Sequence, residues 1–216
     1  MCSIVEEIKV LITDDHPIVR NGIKQILNDC SDINVVCDVS NGHELLNELK
    51  NITVDVILLD ISMPGRNGLS YIKEIKNIKP EVAVLMLSIY SEEQYALRSL
   101  KLGASGYLTK SSTPDELITA IRRVAKGKKY ITTILAEKIA MDVGNVHDKP
   151  AHNLLSDREL EVMCMLANGK SNSDIATELS LSPKTISTYR ERILEKMDLK
   201  STAEIIRYAI KESLVD

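Results

Sequence analysis

No phenylalanine and no tryptophan occur among the 216 residues, so the cores are expected to be aliphatic, filled with Ile, Leu, Val and Met. A net basic segment is missing as well. The net charge is −1 over residues 1–130, −1 over 131–152 and −2 over 153–216, so charge alone does not announce nucleic acid. The four cysteines, Cys2, Cys30, Cys37 and Cys164, form neither a CxxC pair nor a metal-ligand spacing with histidine. They read as small core hydrophobes of a reduced protein. The first residues show no charged region followed by an apolar signal core, and no apolar run approaches membrane-spanning length. That predicts a cytoplasmic protein without a membrane partner. P-loop, GxGxxG and GxSxG signatures are absent, which removes the usual nucleotide-binding and serine-hydrolase readings.

What is present is an ordinary soluble balance, 44% hydrophobic and 27% charged, and a strongly punctuated pattern. The run Val56-Ile57-Leu58-Leu59 has the length of a strand buried on both faces. It ends in Asp60, and the loop Ile61-Ser62-Met63-Pro64-Gly65 follows at once. Such a strand has no structural use for an acid at its carboxyl end. In open α/β sheets that edge is where chemistry sits.

Around this strand the chain alternates. Ile8–Ile12 reads as a strand ending in Thr13-Asp14-Asp15, and Pro17 opens a helix whose apolar face is expected to hold Ile18, Val19, Ile23, Ile26 and Leu27. Ile33–Val39 is the next strand, and Asn41 caps a helix over Leu45, Leu46 and Leu49. A helix around Leu69, Ile72 and Ile75 precedes the strand Val82–Leu87. Ser91-Glu92-Glu93-Gln94 reads as a capping box for a helix that Gly103 ends. A short strand at Tyr107-Leu108 and a helix capped by Thr113 complete the series. Five strands alternating with five helices predict an α/β doubly wound, five-stranded parallel sheet over residues 1–128.

Residues 129–152 read as a linker with a helix over Thr133–Asp142, and residues 153–216 as an all-α, four-helix unit. Ser156, Ser182 and Ser201 each sit where an N-cap belongs. Two of these helices, joined by Ser180-Leu181-Ser182, have the connection length of a helix-turn-helix.

A parallel sheet brings Asp14, Asp15, Asp60, Ser88 and Lys110, all at strand ends, to one edge. Carboxylates crowded there repel one another, and Mg²⁺, which binds one or two carboxylates plus water and phosphate oxygens, resolves the repulsion. An Asp carboxylate is also an established covalent acceptor of phosphoryl groups. Lys110 can then neutralise a phosphoryl group on Asp60, and the Ser88 hydroxyl can donate to it. Taken singly, each residue has a bland reading: helix N-terminal acids for Asp14 and Asp15, a loop serine, a surface lysine. As a set they do not.

Residues 8–126 resemble a response-regulator receiver domain, through Asp14-Asp15, Asp60 with Met63-Pro64 and Gly68, Ser88, Tyr107 and Lys110. Residues 153–216 resemble the LuxR-type helix-turn-helix of the NarL/FixJ branch, through Leu155-Ser156-Asp157-Arg158-Glu159, Asn168-Gly169, Asn172–Ala176 and Lys184-Thr185-Ile186. The resemblance implies a flavodoxin-like receiver in which Asp60 accepts phosphate from a sensor histidine kinase. It implies Mg²⁺ held by Asp15, Asp60 and the backbone carbonyl of Ser62, with Asp14 nearby through water, and a switch pair of Ser88 and Tyr107. It further implies a receiver that covers the recognition helix until phosphorylation frees it to form a homodimer on promoter DNA, with RNA polymerase as a further candidate partner. Ser111 departs from the family pattern, since many receivers carry Pro after the lysine; a cis bond there would cost about 2.5–4 kcal/mol.

Along the helix Pro183–Met197, Ile186, Tyr189, Ile193 and Met197 form the inward stripe, with Leu194 beside it, and Lys184, Ser187, Thr188 and Glu191 the opposite line. The expectation is that Ser187, Thr188 and Glu191 approach base edges. Lys184, Thr185, Arg192 and Lys196, with Lys170 and Lys200, would hold phosphates. The alternative weighed against this regulator is an aspartyl-phosphate hydrolase. That chemistry generally wants a second acid two residues after the nucleophile, where this chain has Ser62.

Overall fold

The computed structural model describes residues 7–63, 66–89, 92–132, 136–137, 150–212 and 214–215. The chain divides into two compact units, Met1–Leu135 and Ala136–Asp216. The Ser91 capping box and most of the helix expected over 133–142 lie outside the described residues.

In the first unit, β1 (Ile8–Thr13), α1 (Pro17–Asn28), β2 (Ile33–Val39), α2 (Gly42–Glu48), β3 (Val56–Asp60), α3 (Leu69–Ile78), β4 (Ala83–Ser88), α4 (Glu92–Leu102), β5 (Gly106–Thr109) and α5 (Pro114–Ala125) alternate. The sheet order is β2-β1-β3-β4-β5 and every pairing is parallel. From β1 the chain steps out to β2 and then returns to the other side as β3. The carboxyl ends of β1 and β3 therefore flank the point where strand order reverses, the place where such sheets take ligands.

All five residues of β3 are buried, which is why its sequence runs apolar instead of alternating. Each aliphatic side chain in this core contributes about 1.5–3 kcal/mol by leaving water. Helix starts follow the sequence signals. Asn41 accepts from the backbone N–H groups of His43 and Glu44, Thr113 and Glu116 close a capping box, and Pro17 occupies the first turn of α1. One expectation fails: Ile18 is 86% exposed. At 100° per residue it lies about 130° from the centre of the face made by Val19, Ile23, Ile26 and Leu27, so it turns away from the sheet. Among the described residues no peptide bond is cis, so Lys110–Ser111 is trans.

The second unit opens with a 3-10 turn (Ala151–Leu154), followed by α6 (Asp157–Ala167), α7 (Asn172–Glu178), α8 (Pro183–Lys196) and α9 (Thr202–Lys211). Ser156 and Ser171 each close a capping box, and Ser182 and Ser201 cap α8 and α9. Gly169 ends the loop after α6 with φ of 79°, a left-handed conformation that glycine adopts without penalty. The core is Leu160, Met163, Ile175, Ile186, Ile193, Ile205 and Ala209, drawn from all four helices. Arg158 ties α6 to the end of α7, donating to Glu161 at 2.7 Å and to the Leu179 carbonyl at 3.1 Å. Tyr208 on α9 fastens the entry of the unit, accepting from the His152 backbone N–H at 3.2 Å.

Candidate functional site

The acid pocket is assembled by strand register. Thr13 of β1 sits opposite Leu59, Asp60 opposite Leu87, and Ser88 opposite Thr109. Asp14, Asp60, Ser88 and Lys110 thus meet on one edge although they are far apart in sequence. Lys110 spans the pocket, its Nζ 2.7 Å from Asp14 Oδ2 and 2.8 Å from Asp60 Oδ2. Asp60 Oδ1 accepts from the Ser62 backbone N–H at 3.2 Å. Asp14, Asp60 and Ser88 are fully buried, and Asp15 is partly open.

Burial pushes the Asp60 carboxyl up to about 7, and the Asp14 charge adds to the rise, while Lys110 and the Ser62 N–H oppose it. For Lys110, burial works against the charge, but Asp60 beside it and the bonds to Asp14 and Asp60 outweigh burial and raise the ammonium above its usual range. Near neutral pH the Asp60 carboxyl is therefore only partly ionised unless further positive charge arrives.

The donor set fits a hard divalent cation. One ligand atom from each of Asp14, Asp15, His16 and Asp60 lies within 4.8 Å of all the others. Asp15 Oδ1 is shut off from solvent and accepts no hydrogen bond among the described residues. The Ser62 carbonyl likewise receives no backbone N–H among the described residues. Tyr107 is fully buried on β5, opposite Met86 and two pairs inside the strand end at Ser88. The loop after Asp60 is folded tightly back: the Gly68 N–H donates to the Ile61 carbonyl at 2.8 Å. A Cβ at Gly68 would stand 1.9 Å from the Asp60 carbonyl oxygen. His16 is the residue that sequence reasoning passed over; its place directly after the acid pair was the available signal.

On the second unit, Ile186 and Ile193 of α8 and Met197 at its C-cap are buried, and Tyr189 is half-buried. Lys184, Thr188, Glu191 and Arg192 are exposed, as is Lys200 beyond the helix, and Thr185 is half-buried with its hydroxyl on Ser182 at 2.8 Å. A depression of about 300 Å³ is lined by Ser182, Lys184, Thr185, Thr188, Tyr189 and Arg192. Besides Thr185, four of the expected DNA contacts are engaged within the unit, Thr188 by donating its hydroxyl to the Lys184 carbonyl at 3.1 Å. The Ser187 hydroxyl accepts from the Asn172 side chain at 3.1 Å and donates to the Pro183 carbonyl. Lys170 pairs with Glu178 at 2.5 Å and Lys196 with Glu159 at 2.6 Å.

These two sites are those of a family. Residues 10–122 match the response regulator receiver domain, and residues 153–209 match the bacterial regulatory proteins of the luxR family. The chain is a LuxR-type response regulator. It is 36% identical over 208 residues to the response regulator UvrY of Escherichia coli K12, covering 96% of this chain and 95% of that protein. It is equally identical over 211 residues to GacA of Pseudomonas aeruginosa, covering 97% and 98%. Among solved structures, an RcsB response regulator from Salmonella typhimurium superposes with a TM-score of 0.70 at 28% identity, covering 96% of this regulator and 98% of that chain. Salmonella RcsB bound to promoter rprA in the presence of phosphomimetic BeF3⁻ superposes at 0.65 with 29% identity, covering 94% and 98%. The regulator thus combines a receiver with a DNA-binding domain of the NarL/FixJ branch, the transcriptional organisation of its relatives. Among its described residues no helix is long and apolar enough to cross a membrane.

Proposed function

We propose that this regulator is switched by phosphorylation of Asp60, and that the switch controls binding of α8 to promoter DNA. The observation that carries the reading is Lys110 bridging Asp14 and Asp60 at the strand-order reversal, in the same chain as a helix-turn-helix. An Asp60 oxygen attacks the phosphorus of a phosphohistidine on a sensor kinase, and the bond to the histidine nitrogen breaks. Mg²⁺ bound by Asp15, Asp60 and the Ser62 carbonyl, with Asp14 through water, would supply charge for the transferred oxygens and lower the Asp60 pKa. Lys110 pairs with the phosphoryl group, the Ser88 hydroxyl donates to it, and Tyr107 repacks with Ser88 as the switch. The added charge of roughly −1.5 to −2 biases the receiver between two states.

In the output domain, Thr188 and Glu191 read base edges with Ser187 at their side, and Lys184, Thr185, Arg192 and Lys200 hold phosphates. Lys170 and Lys196 reach phosphates only by giving up their acid partners. The domain's charge of −2 makes a single copy a weak binder. A phosphorylated homodimer, with its interface on the receiver or on the Ile205, Ile206 and Ile210 side of α9, supplies the missing affinity. Boundaries of 1–128 for the receiver, 129–152 for the linker and 153–216 for the DNA-binding domain go with this reading. So do a cytoplasmic location, RNA polymerase as a downstream partner, and no turnover beyond self-phosphorylation and slow self-dephosphorylation. The hydrolase reading lacks its second acid, because position 62 is serine.

The test is DNA affinity with a small phosphodonor and Mg²⁺, compared between wild type and Asp60→Ala. Wild type should tighten while the variant stays unchanged. An equal response in both would overturn the mechanism.

A further inference from the structure

We propose that His16 is a nitrogen ligand in the acid pocket, so that the pocket favours a first-row transition divalent cation more than its carboxylates alone would. This rests on the metal reading of the pocket given above, and goes beyond it in the donor set and the class of ion.

The geometry begins with the turn out of β1. His16 is the residue before α1, in an extended conformation with φ −89° and ψ 109°. Its backbone N–H donates to Asp14 Oδ1 at 2.8 Å. The imidazole is thereby brought over the acids: Nδ1 lies 3.3 Å from Asp14 Oδ1 and 2.8 Å from Asp15 Oδ1. Around an octahedral ion with bonds of about 2.1 Å, neighbouring ligands stand about 3.0 Å apart and opposite ones about 4.2 Å. The 2.8 Å spacing from His16 to Asp15 is that of neighbouring ligands, and Asp14, which reaches the ion through water, stands 3.3 Å from the ring nitrogen. The 4.8 Å limit within which the four donors lie is little wider than an opposite pair.

His16 Nδ1 and Asp15 Oδ1 stand at ion-pair distance, a contact that a shared cation would replace. At 2.8 Å the ring nitrogen is within hydrogen-bond reach of Asp15 Oδ1, yet that oxygen accepts no hydrogen bond. His16 is 61% exposed, so the ring is free to adjust, and solvent can fill the remaining positions of the ion.

Carboxylate, carbonyl and water ligands suit Mg²⁺, whereas imidazole suits later first-row ions and gains little on Mg²⁺. One nitrogen among oxygens therefore shifts preference without abolishing Mg²⁺ binding. The neutral imidazole ligates through Nδ1, leaving Nε2–H toward solvent.

The experiment uses the full chain loaded with Mn²⁺, with calorimetric titrations of Mn²⁺ and Mg²⁺ and electron spin-echo measurement of nitrogen coupling to the bound Mn²⁺. Wild type should show coupling from one coordinated imidazole. His16→Ala and His16→Gln should lose it, with Mn²⁺ affinity falling by about tenfold and Mg²⁺ affinity changing less than about twofold. Mn²⁺ bound without nitrogen coupling in wild type, or equal loss of both ions in the variants, would overturn the ligand role. Asp15→Ala and Asp60→Ala test the pocket separately: metal binding unchanged in both would reject the metal reading itself.

Discussion

Lys196 Nζ donates at 2.6 Å to the Glu159 carboxylate, joining the last turn of the recognition helix α8 to the first turn of α6. The two ends differ in surroundings: the Glu159 side chain is 4% exposed, that of Lys196 41%. Glu159 also completes the Ser156 capping box, so one carboxylate holds a helix start and a neighbouring helix end together. The arrangement ties α8 to its support through a lysine that was also an expected phosphate contact.

Burial opposes ionisation of Glu159, but the Lys196 ammonium and the Ser156 bonds prevail and hold its pKa below the usual glutamate range. A depressed folded pKa stabilises the fold at pH values above the ordinary glutamate range, and that stabilisation is lost as pH falls through the folded value. Glu159→Gln should therefore lower stability at pH 7 by about 1–2 kcal/mol. Its thermal unfolding should also respond less steeply to acid than that of wild type. Circular dichroism melts at pH 7 and pH 4 measure both. Parallel acid curves for the two proteins would show that the carboxylate charge does no such work.

Asp60 titrates in the opposite sense. With its pKa raised to about 7 by burial, the folded protein keeps a proton that the unfolded chain releases near the ordinary aspartate value. Without divalent metal, stability then falls as pH climbs from about 4 to about 7 and stays low above it. Asp60→Asn, which carries no charge to bury, should exceed wild type by about 2–4 kcal/mol at pH 8, with the gap closing toward pH 4. Unfolding in chelator-treated buffer at the two pH values decides this. Addition of Mg²⁺ should narrow the gap at pH 8 by stabilising wild type alone.

The alternation of strands and helices was legible because period, caps and glycine stops all agree, as at Asn41, Thr113 and Gly103. The pocket was legible because parallel pairing forces Asp14, Asp60 and Lys110 together whatever the loops do. Strand order was not, since β2-β1-β3 depends on which face each crossover helix covers. Ile18 misled because its apolar character matched the helix while its angle did not. The pairings of Lys170 with Glu178 and Lys196 with Glu159 link positions eight and thirty-seven residues apart. No periodicity carries such information, so the lysines looked like available positive charge.

Gly68 and Gly22 make a matched pair for the same substitution. Gly68 has ordinary right-handed helical angles, φ −53° and ψ −34°, so its requirement is steric. A Cβ there meets the Asp60 carbonyl oxygen at 1.9 Å, whereas at Gly22 in α1 nothing lies within 4 Å. Gly68→Ala should destabilise by about 1–3 kcal/mol through backbone displacement, and Gly22→Ala should stabilise by roughly 0.5–1 kcal/mol through chain entropy. Because the displaced backbone belongs to Asp60, Gly68→Ala should also slow acyl-phosphate formation beyond what its melting temperature explains. Radiolabelling from a small phosphodonor well below the melting temperature separates the two effects.

Arg192 and Thr188 both border the depression on α8, yet they should fail differently. Arg192 is exposed, and no hydrogen bond or ion pair from its guanidinium is seen among the described residues, so its charge is available to phosphate. Arg192→Ala should weaken every DNA sequence alike and reduce the slope of log affinity against log salt by about 1. Thr188 carries no charge, and its hydroxyl donates to the Lys184 carbonyl at 3.1 Å, which leaves the methyl and the oxygen lone pairs facing out. Thr188→Ala should keep the salt slope and change the order of preferred sequences, with a penalty of about 1–3 kcal/mol at the affected base pair. Lys196→Ala supplies the third case, because its charge is spent on Glu159. It should lower stability while leaving the salt slope near that of wild type. Binding isotherms on promoter and scrambled duplexes at several salt concentrations distinguish all three, and a slope change in Lys196→Ala as large as in Arg192→Ala would show that the ion pair opens on DNA.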